Sequence, residues 1–179
     1  MLNKSNTGLI IVDVQGKLAS IVHESEEVIE NIITLIKGAE ILDLPIIWLE
    51  QYPKGLGPTI DVIKNQLKGQ LPIEKMTFSA YKNKAFKQAL EETDCTSFLL
   101  TGIESHVCVY QTGADLLANN YSIEIVEDAV SSRTKKNKEI GIKKLNSLGA
   151  KSTTIEMSLF ELMETADYPH FKKISSLIK

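Results

Sequence analysis

Cysteine is scarce in this sequence, which has two cysteines in 179 residues, Cys95 and Cys108. Two cysteines do not make the disulfide framework of a small secreted protein, so the composition points to a reducing compartment. Residues 1–7 are polar and lack the apolar core of a signal peptide. We therefore expect a cytoplasmic location.

Long apolar runs and an excess of one charge are also lacking. No apolar segment reaches the length that crosses a bilayer, so we expect no membrane association. The 20 Lys and Arg residues nearly balance the 23 Asp and Glu residues, and the formal net charge is −3. The richest basic cluster, Arg133 to Lys138, is short and typical of a solvated helix start. Nothing in this pattern indicates nucleic acid as a partner.

Strand-like and helix-like segments alternate along the chain. The predicted strands are 8–14, 45–49, 72–75, 97–101, 122–126 and 151–155. The predicted helices are 25–43, 59–67, 83–92, 108–119, 135–148, 159–163 and 171–178. With 43% hydrophobic residues, this alternation predicts one domain over 1–179. Its fold class is three-layer α/β, with a six-stranded, mostly parallel sheet flanked by helices.

The stretch 101–108 (TGIESHVC) connects the fourth predicted strand to the helix that opens at Cys108. A thiol at a helix N-terminus meets the positive end of the helix dipole and free backbone N–H groups, which favour the nucleophilic thiolate. The same N–H groups are suited to hold the oxyanion that forms when a thiolate attacks a carbonyl. The alternative is that Cys108 is a small apolar residue buried at a helix start.

Asp13 ends the first predicted strand and Lys75 ends the third. In an open α/β sheet, ligands bind beyond the carboxyl ends of the strands, so both side chains are placed for that crevice. Each has a plainer alternative: Asp13 as a cap for the turn at 15–16, and Lys75 as a side chain that reaches solvent. A lysine near a carboxylate and a thiol would hold both in their anionic forms.

An acid, an amine and a thiol at three strand ends form a consistent catalytic set. Asp13 is suited to take the thiol proton as general base and to return it to a leaving group. Lys75 is suited to raise the thiolate fraction and to stabilise negative charge near the attacked carbonyl. The sequence therefore predicts a hydrolase with Asp13, Lys75 and Cys108 as its catalytic residues.

These stretches resemble the isochorismatase-like cysteine hydrolases, a family that uses an Asp-Lys-Cys triad on a Rossmann-like sheet. The matching stretches are IIVDVQGKL around Asp13, IEKMTFSAY around Lys75 and TGIESHVCVYQTGADLL around Cys108. EDAVSSR (127–133) also matches, and the resemblance covers nearly the whole chain in the expected order. EQYPKGLGPT (50–59) and YPHFKKI (168–174) are similar to the isochorismatase-domain-containing proteins of the animal type and their bacterial relatives.

The resemblance implies further features of the site. The Ile103–Glu104 peptide bond is expected to be cis, and the backbone N–H groups of Glu104 and Cys108 are expected to form the oxyanion hole. Nicotinamidases of this family bind a metal through histidines in the loop after the second strand, and here that loop, 48–53, has none. We therefore expect no metal and no cofactor. His106, beside the turn, is expected to have a structural or interface role.

The resemblance leaves the substrate open. A chain that has all three triad residues fits cleavage of a small-molecule amide or carbamoyl C–N bond, through a thioester on Cys108. Isochorismatase-type vinyl-ether hydrolysis and a non-catalytic scaffold that retains the triad are the alternatives. Family members commonly form closed assemblies, so a homo-oligomer is expected. The candidate pocket walls, each of which also suits a core or surface position, are Gln51, Tyr52, Phe78, Tyr81 and Tyr110.

Overall fold

A six-stranded sheet forms the centre of the structure, a computed structural model that describes residues 1–178. The last residue of the predicted domain 1–179 lies outside the described residues. The strands are β1 (Thr7–Val12), β2 (Ile46–Gln51), β3 (Ile73–Lys75), β4 (Ser97–Ile103), β5 (Ser122–Ser131) and β6 (Lys151–Thr153). Their order is β3-β2-β1-β4-β5-β6, and all neighbours pair in parallel. The predicted α/β fold class is confirmed.

Helices cover both faces of the sheet. They are α1 (Gly16–Ile21), α2 (Ser25–Ile41), α3 (Pro53–Leu56), α4 (Asp61–Lys64), α5 (Lys84–Glu92), α6 (Tyr110–Ala118), α7 (Lys135–Ser147), α8 (Ile155–Met163) and α9 (Phe171–Leu177). Side chains of α2, α4, α8 and α9 pack on one face, and those of α5, α6 and α7 on the other. Within residues 1–178, no helix combines the length and apolarity that a membrane crossing requires.

Strand β1 is buried on both faces, as its unbroken apolar run predicts. Leu9 and Ile11 belong to the core cluster on one face of the sheet, and Ile10 and Val12 belong to the cluster on the other. This alternation follows from the two-residue period of a strand. A strand that is buried on both faces needs apolar side chains on both, which is why the sequence here shows no polar alternation.

The strand order places the ends of three strands around one crevice. The order reverses between β1 and β4, because β2 and β3 extend to one side of β1 while β5 and β6 extend to the far side of β4. Crevices at such reversal points, beyond the carboxyl ends of the strands, are the usual ligand sites of open α/β sheets. Asp13 follows β1, Lys75 ends β3 and the stretch 104–108 follows β4.

Several segments differ from the sequence-based expectation. The short helices α1 and α3 are not predicted by the sequence pattern, and α8 begins at Ile155, the last residue of the predicted sixth strand. The fifth strand does not end near Val126 but continues to Ser131, because the register against β4 shifts and Gly102 pairs with Val130. The helical segment also begins before Cys108: Ser105–Val109 form a π-helical turn that leads into α6. Cys108 therefore lies inside a wide helical turn rather than at a helix start.

Candidate active site

Asp13 and Lys75 form a buried ion pair at the carboxyl edge of the sheet. Nζ of Lys75 donates to Oδ2 of Asp13 at 2.7 Å, and the two side chains are 0% and 4% exposed. The same Nζ donates to Oε1 of Gln51 at 2.8 Å and to the carbonyl oxygen of Phe78 at 3.4 Å. Three acceptors thus satisfy the three donors of the ammonium group, as a buried charge requires.

Cys108 lies beside this pair. Its side chain interacts with both Asp13 and Lys75, and the residue is 7% exposed. Burial raises the pKa of the Cys108 thiol to about 12, with a further rise from the negative charge of Asp13, and the charge of Lys75 opposes both. Burial also raises the pKa of Asp13, against the lowering effect of Lys75. The pKa of Cys108 therefore favours a neutral thiol at rest, not the resting thiolate that the turn alone suggested.

The neutral thiol lies next to the Asp13–Lys75 ion pair, and the free oxygen of that pair sets the chemistry that the site supports. Oδ2 of Asp13 is bonded to Lys75, while Oδ1 has no hydrogen-bond partner among the described residues. That oxygen is free to accept a proton when the sulfur attacks an electrophile. The arrangement therefore suits proton transfer during attack, with Asp13 as the base.

The turn that carries Cys108 is held close to β1. Gly102 has a φ of +116°, and a Cβ at this position would collide with backbone atoms of Val12. The Ile103–Glu104 peptide bond is cis. The carbonyl oxygen of Glu104 accepts N–H bonds from Val107 at 3.0 Å and Val109 at 3.2 Å. The oxyanion hole formed by the N–H groups of Glu104 and Cys108 stays a prediction.

The side chain of Glu104 ties this turn to the end of β5. Its Oε1 accepts the backbone N–H of Arg133 at 2.9 Å, and its Oε2 accepts Nε of the same arginine at 3.1 Å. His106 lies nearby, with Nε2 at 3.8 Å from Oε2 of Glu104 and Nδ1 at 3.0 Å from Oγ of Ser132. These contacts fit the structural role expected of His106.

A cavity of about 300 Å³ opens beside Cys108. Its lining residues are Asp13, Leu18, Gln51, Leu56, Phe78, Ile103, Glu104, Val107, Cys108 and Arg133. Of the predicted pocket walls, Gln51 and Phe78 line this cavity. Gln51 also fixes Lys75, because its Oε1 accepts from the ammonium group and its Nε2 donates to the carbonyl oxygen of Met76 at 2.8 Å.

The three tyrosines predicted as pocket walls lie elsewhere. Tyr52 is 45% exposed and lines a neighbouring cavity of about 560 Å³. Tyr81 packs edge-to-face on Tyr121, and Tyr110 lies beneath the ammonium group of Lys144. Tyr81 and Tyr110 pack against the core cluster on one face of the sheet. All three tyrosines are close to triad residues or strand ends in sequence, but none of their rings lines the cavity beside Cys108.

Several residues at the site are not among those predicted from the sequence. Gln15 is fully buried, accepts the N–H of Gln51 through Oε1 at 2.6 Å, and donates from Nε2 to the carbonyl oxygens of Gln51 and Gly57. Its position two residues beyond Asp13 is the one local signal of this role. Leu18, Leu56 and Arg133 gave no local signal, since only the packing of distant segments brings them to the cavity.

Histidines and acids do not cluster at this site. Within residues 1–178, no group of three or more His, Cys, Asp and Glu side chains is arranged to hold a metal ion. The expectation that the chain uses neither metal nor cofactor stays a prediction. Lys75 is the cationic side chain that interacts with both Asp13 and Cys108.

A parallel α/β sheet with an acid, a lysine and a cysteine at its ligand-binding edge defines a class of hydrolases, and comparison with known proteins identifies the family. The isochorismatase domain model matches residues 7–157. A Dictyostelium discoideum protein, isochorismatase family protein 1A, is 36% identical over 180 residues, which covers 98% of this chain and 87% of that protein. The chain belongs to the isochorismatase family, as predicted, and is a hydrolase of that superfamily.

Solved structures have the same fold. A Caenorhabditis elegans protein described as MAR1 ribonuclease has a TM-score of 0.92 and 38% identity, covering 99% of this chain and 91% of its own. An Escherichia coli protein described as an octameric hydrolase of unknown specificity also has a TM-score of 0.92. It is 22% identical and covers 98% of this chain and 89% of its own, which shows the fold alone.

Proposed function

We propose that this chain is a metal-independent cysteine hydrolase that cleaves the C–N bond of a small amide or carbamoyl compound. The observation that carries the proposal is that Asp13 and Cys108 line one small cavity, while Lys75 contacts both of them from behind it. The family includes members that act by other chemistry, and the cysteine beside a base is the feature that favours C–N cleavage.

The first half of the reaction forms a thioester. The Cys108 thiol gives its proton to Oδ1 of Asp13 as the sulfur attacks the substrate carbonyl carbon, and the carbonyl oxygen becomes an oxyanion. Lys75 stabilises the negative charge of the carboxylate before the transfer. The backbone N–H groups of Glu104 and Cys108 hold the oxyanion. Asp13 then returns the proton to the departing nitrogen, and ammonia or an amine leaves.

The second half regenerates the enzyme. Asp13, ionised again, takes a proton from a water molecule that attacks the thioester carbonyl. The tetrahedral intermediate collapses with the sulfur as leaving group, which recovers the proton from Asp13. The acid product departs, and the protein returns to a neutral thiol beside an ionised carboxylate.

A panel of small amides and carbamoyl compounds, scored by ammonia release, tests this function. We expect turnover by the wild type and a loss of at least about a hundredfold in Cys108→Ala, since the nucleophile is removed. Cys95→Ala is the matched control, because Cys95 is also a buried free cysteine but lies away from the cavity. Turnover that survives Cys108→Ala, or no turnover on any amide, would contradict the proposal.

The family name supports one alternative, isochorismatase-type cleavage of a vinyl ether. That reaction does not need a sulfur nucleophile, so activity on isochorismate that persists in Cys108→Ala would favour it. The solved structure described as a ribonuclease makes RNA a further compound to assay. Against RNA stand the small cavity and the formal net charge of −3. A stable complex with a partner, together with no turnover of any of these compounds, would favour a non-catalytic scaffold protein.

Location and assembly stay predictions. The cytoplasmic location rests on the small number of cysteines, and cell fractionation with an antibody against this chain tests it. The mass of the native protein in solution tests the homo-oligomer.

A further inference from the structure

The cavity beside Cys108 is small and half of its lining is apolar. Its apolar walls are Leu18, Leu56, Phe78, Ile103 and Val107. At about 300 Å³ it lies at the lower end of the volumes of small-molecule sites. The part of a substrate that fills it is therefore a short group.

Each charged side chain of the lining has an oppositely charged partner, although Oδ1 of Asp13 accepts no hydrogen bond from the described residues. Asp13 and Gln51 both bind the ammonium group of Lys75. Glu104 binds Arg133. The two carboxylates are thus matched by two cations, and the site carries no net charge. An ionic group on a substrate would enter without a free counter-charge to replace its hydration.

Arg133 is the residue that would otherwise attract an anion. Its side chain is 56% exposed and lies at the cavity, while the Glu104 side chain is 8% exposed. Glu104 engages both Nε and the backbone N–H of Arg133. One buried carboxylate therefore offsets the arginine charge and holds its Nε atom.

We propose that this cavity selects substrates with an uncharged, apolar acyl group, and that the Glu104 carboxylate enforces the selection by neutralising Arg133. The proposal rests on the proposed amide hydrolysis and names its substrate class: short aliphatic carboxamides. The Glu104 side chain is the specificity-determining group here, in addition to the role of its backbone N–H.

Two amides of nearly equal shape test the proposal. They are 4-methylpentanamide and succinamate, which differ in replacing an isopropyl group by a carboxylate. Dissociation constants are measured by ligand-observed NMR on the full chain carrying Cys108→Ala, so no turnover occurs. A failure of the proposed hydrolysis would therefore leave this measurement intact, and the two ideas fail separately.

In Cys108→Ala we expect 4-methylpentanamide to bind at least about tenfold tighter than succinamate, because the carboxylate loses hydration without gaining a partner. Adding Glu104→Gln leaves Arg133 unpaired. The affinity for succinamate relative to 4-methylpentanamide should then rise at least about tenfold. Adding Arg133→Gln to that protein should abolish the shift. Succinamate binding as tightly as its isostere, an unchanged ratio in the Glu104→Gln protein, or binding of neither amide would overturn the proposal.

A second variant tests the apolar walls without disturbing the ion pair. Leu56 is 42% exposed, so Leu56→Asn should fold. In the Cys108→Ala background we expect it to weaken 4-methylpentanamide binding about tenfold and to change succinamate binding less than about threefold. Equal effects on both amides would contradict an apolar acyl site.

Discussion

At the scale of single residues, the protonation of Cys108 governs how this site works. The turn predicted a stabilised thiolate, but burial and the Asp13 charge raise the pKa of the thiol to about 12. The partner of the Lys75 ammonium group is therefore the carboxylate of Asp13 and not a thiolate. In the proposed reaction the sulfur gives its proton to that carboxylate as it attacks the substrate, whereas between turnovers the same carboxylate charge disfavours a free thiolate.

Asp13→Asn should separate thiol reactivity from turnover. Removing the carboxylate charge lowers the pKa of Cys108, so alkylation by iodoacetamide at pH 8 should be faster than in the wild type. Turnover should fall at least about a hundredfold, because the base is lost. Both measurements use a Cys95→Ala background, so that Cys108 is the one thiol labelled. Slower alkylation in Asp13→Asn would contradict this account of the pKa.

The raised pKa of Cys108 also makes alkali destabilising. The thiol of the unfolded chain ionises near its ordinary value of 9.0, whereas the folded thiol ionises at about 12. Between these pH values the unfolded state binds fewer protons, so the free energy of unfolding falls as pH rises. Urea denaturation from pH 8 to 11 should show that the free energy of unfolding falls more steeply with pH in the wild type than in Cys108→Ala. The same dependence on pH in both proteins would exclude a raised pKa of Cys108.

Lys75→Met tests how far the ion pair supports the fold. It leaves a buried carboxylate on Asp13 without its cation, which typically costs about 3–5 kcal/mol of unfolding free energy. The double variant with Asp13→Asn removes the unpaired charge and should recover part of that loss. Urea denaturation measures both proteins. A double variant no more stable than Lys75→Met would show that the buried charge is not the cause.

At the scale of elements, the π-helical turn Ser105–Val109 is positioned by its neighbours. Gly102 allows β4 to approach β1 closely, and Gly141 allows α7 to approach the turn. A Cβ at position 141 would lie 2.6 Å from the carbonyl group of Ser105 and 2.8 Å from N of His106. Two glycines that are distant in sequence thus fix the backbone that carries Cys108.

Gly141→Ala should impair turnover more than stability. The added methyl group pushes on backbone atoms of the turn, and small displacements of a reacting group lower rates strongly, so we expect kcat/KM to fall at least about tenfold. Gly38→Ala in α2 is the matched control, because its Cβ meets the side chain of Leu159 far from the cavity. Equal losses of activity in the two variants would contradict a special role for the α7 contact.

At the scale of the whole molecule, the surface still presents large apolar side chains. Met157 and Phe160 of α8 are 58% and 39% exposed, and Phe160 packs edge-to-face on Phe171. Exposed apolar groups of this size are typical of interaction surfaces when they form a patch. Met157 and Phe160 are therefore candidate contacts between subunits of the predicted homo-oligomer.

Sedimentation equilibrium tests the predicted homo-oligomer. The chain has a mass of 19.9 kDa, and at micromolar concentration we expect a mass that corresponds to two or more chains. Phe160→Lys should shift the distribution towards smaller species, since it places a charge on the exposed face of α8. Ile140→Lys, at 49% exposure on α7, is the control for a charged surface substitution. A wild-type mass of 19.9 kDa would contradict the prediction.

The sequence by itself determined the six strands, the longer helices and the candidate reacting groups. Strand-like segments that alternate with helical ones are local signals, and the residues at strand ends identified Asp13, Lys75 and Cys108. The short helices α1 and α3 lacked such a signal. The continuation of β5 to Ser131 escaped this reasoning, because strand pairing with a shifted register is not local. Family resemblance then gave the hydrolase class.

Only the tertiary structure decided the electrostatics and the lining of the site. Burial depth sets the pKa of Cys108, and burial depends on packing from every side. The Glu104–Arg133 pair joins residues 29 positions apart, and Tyr81 and Tyr110 turned to the core rather than to the cavity. Distances between segments that are remote in sequence control all three, and no local pattern of residues encodes such distances.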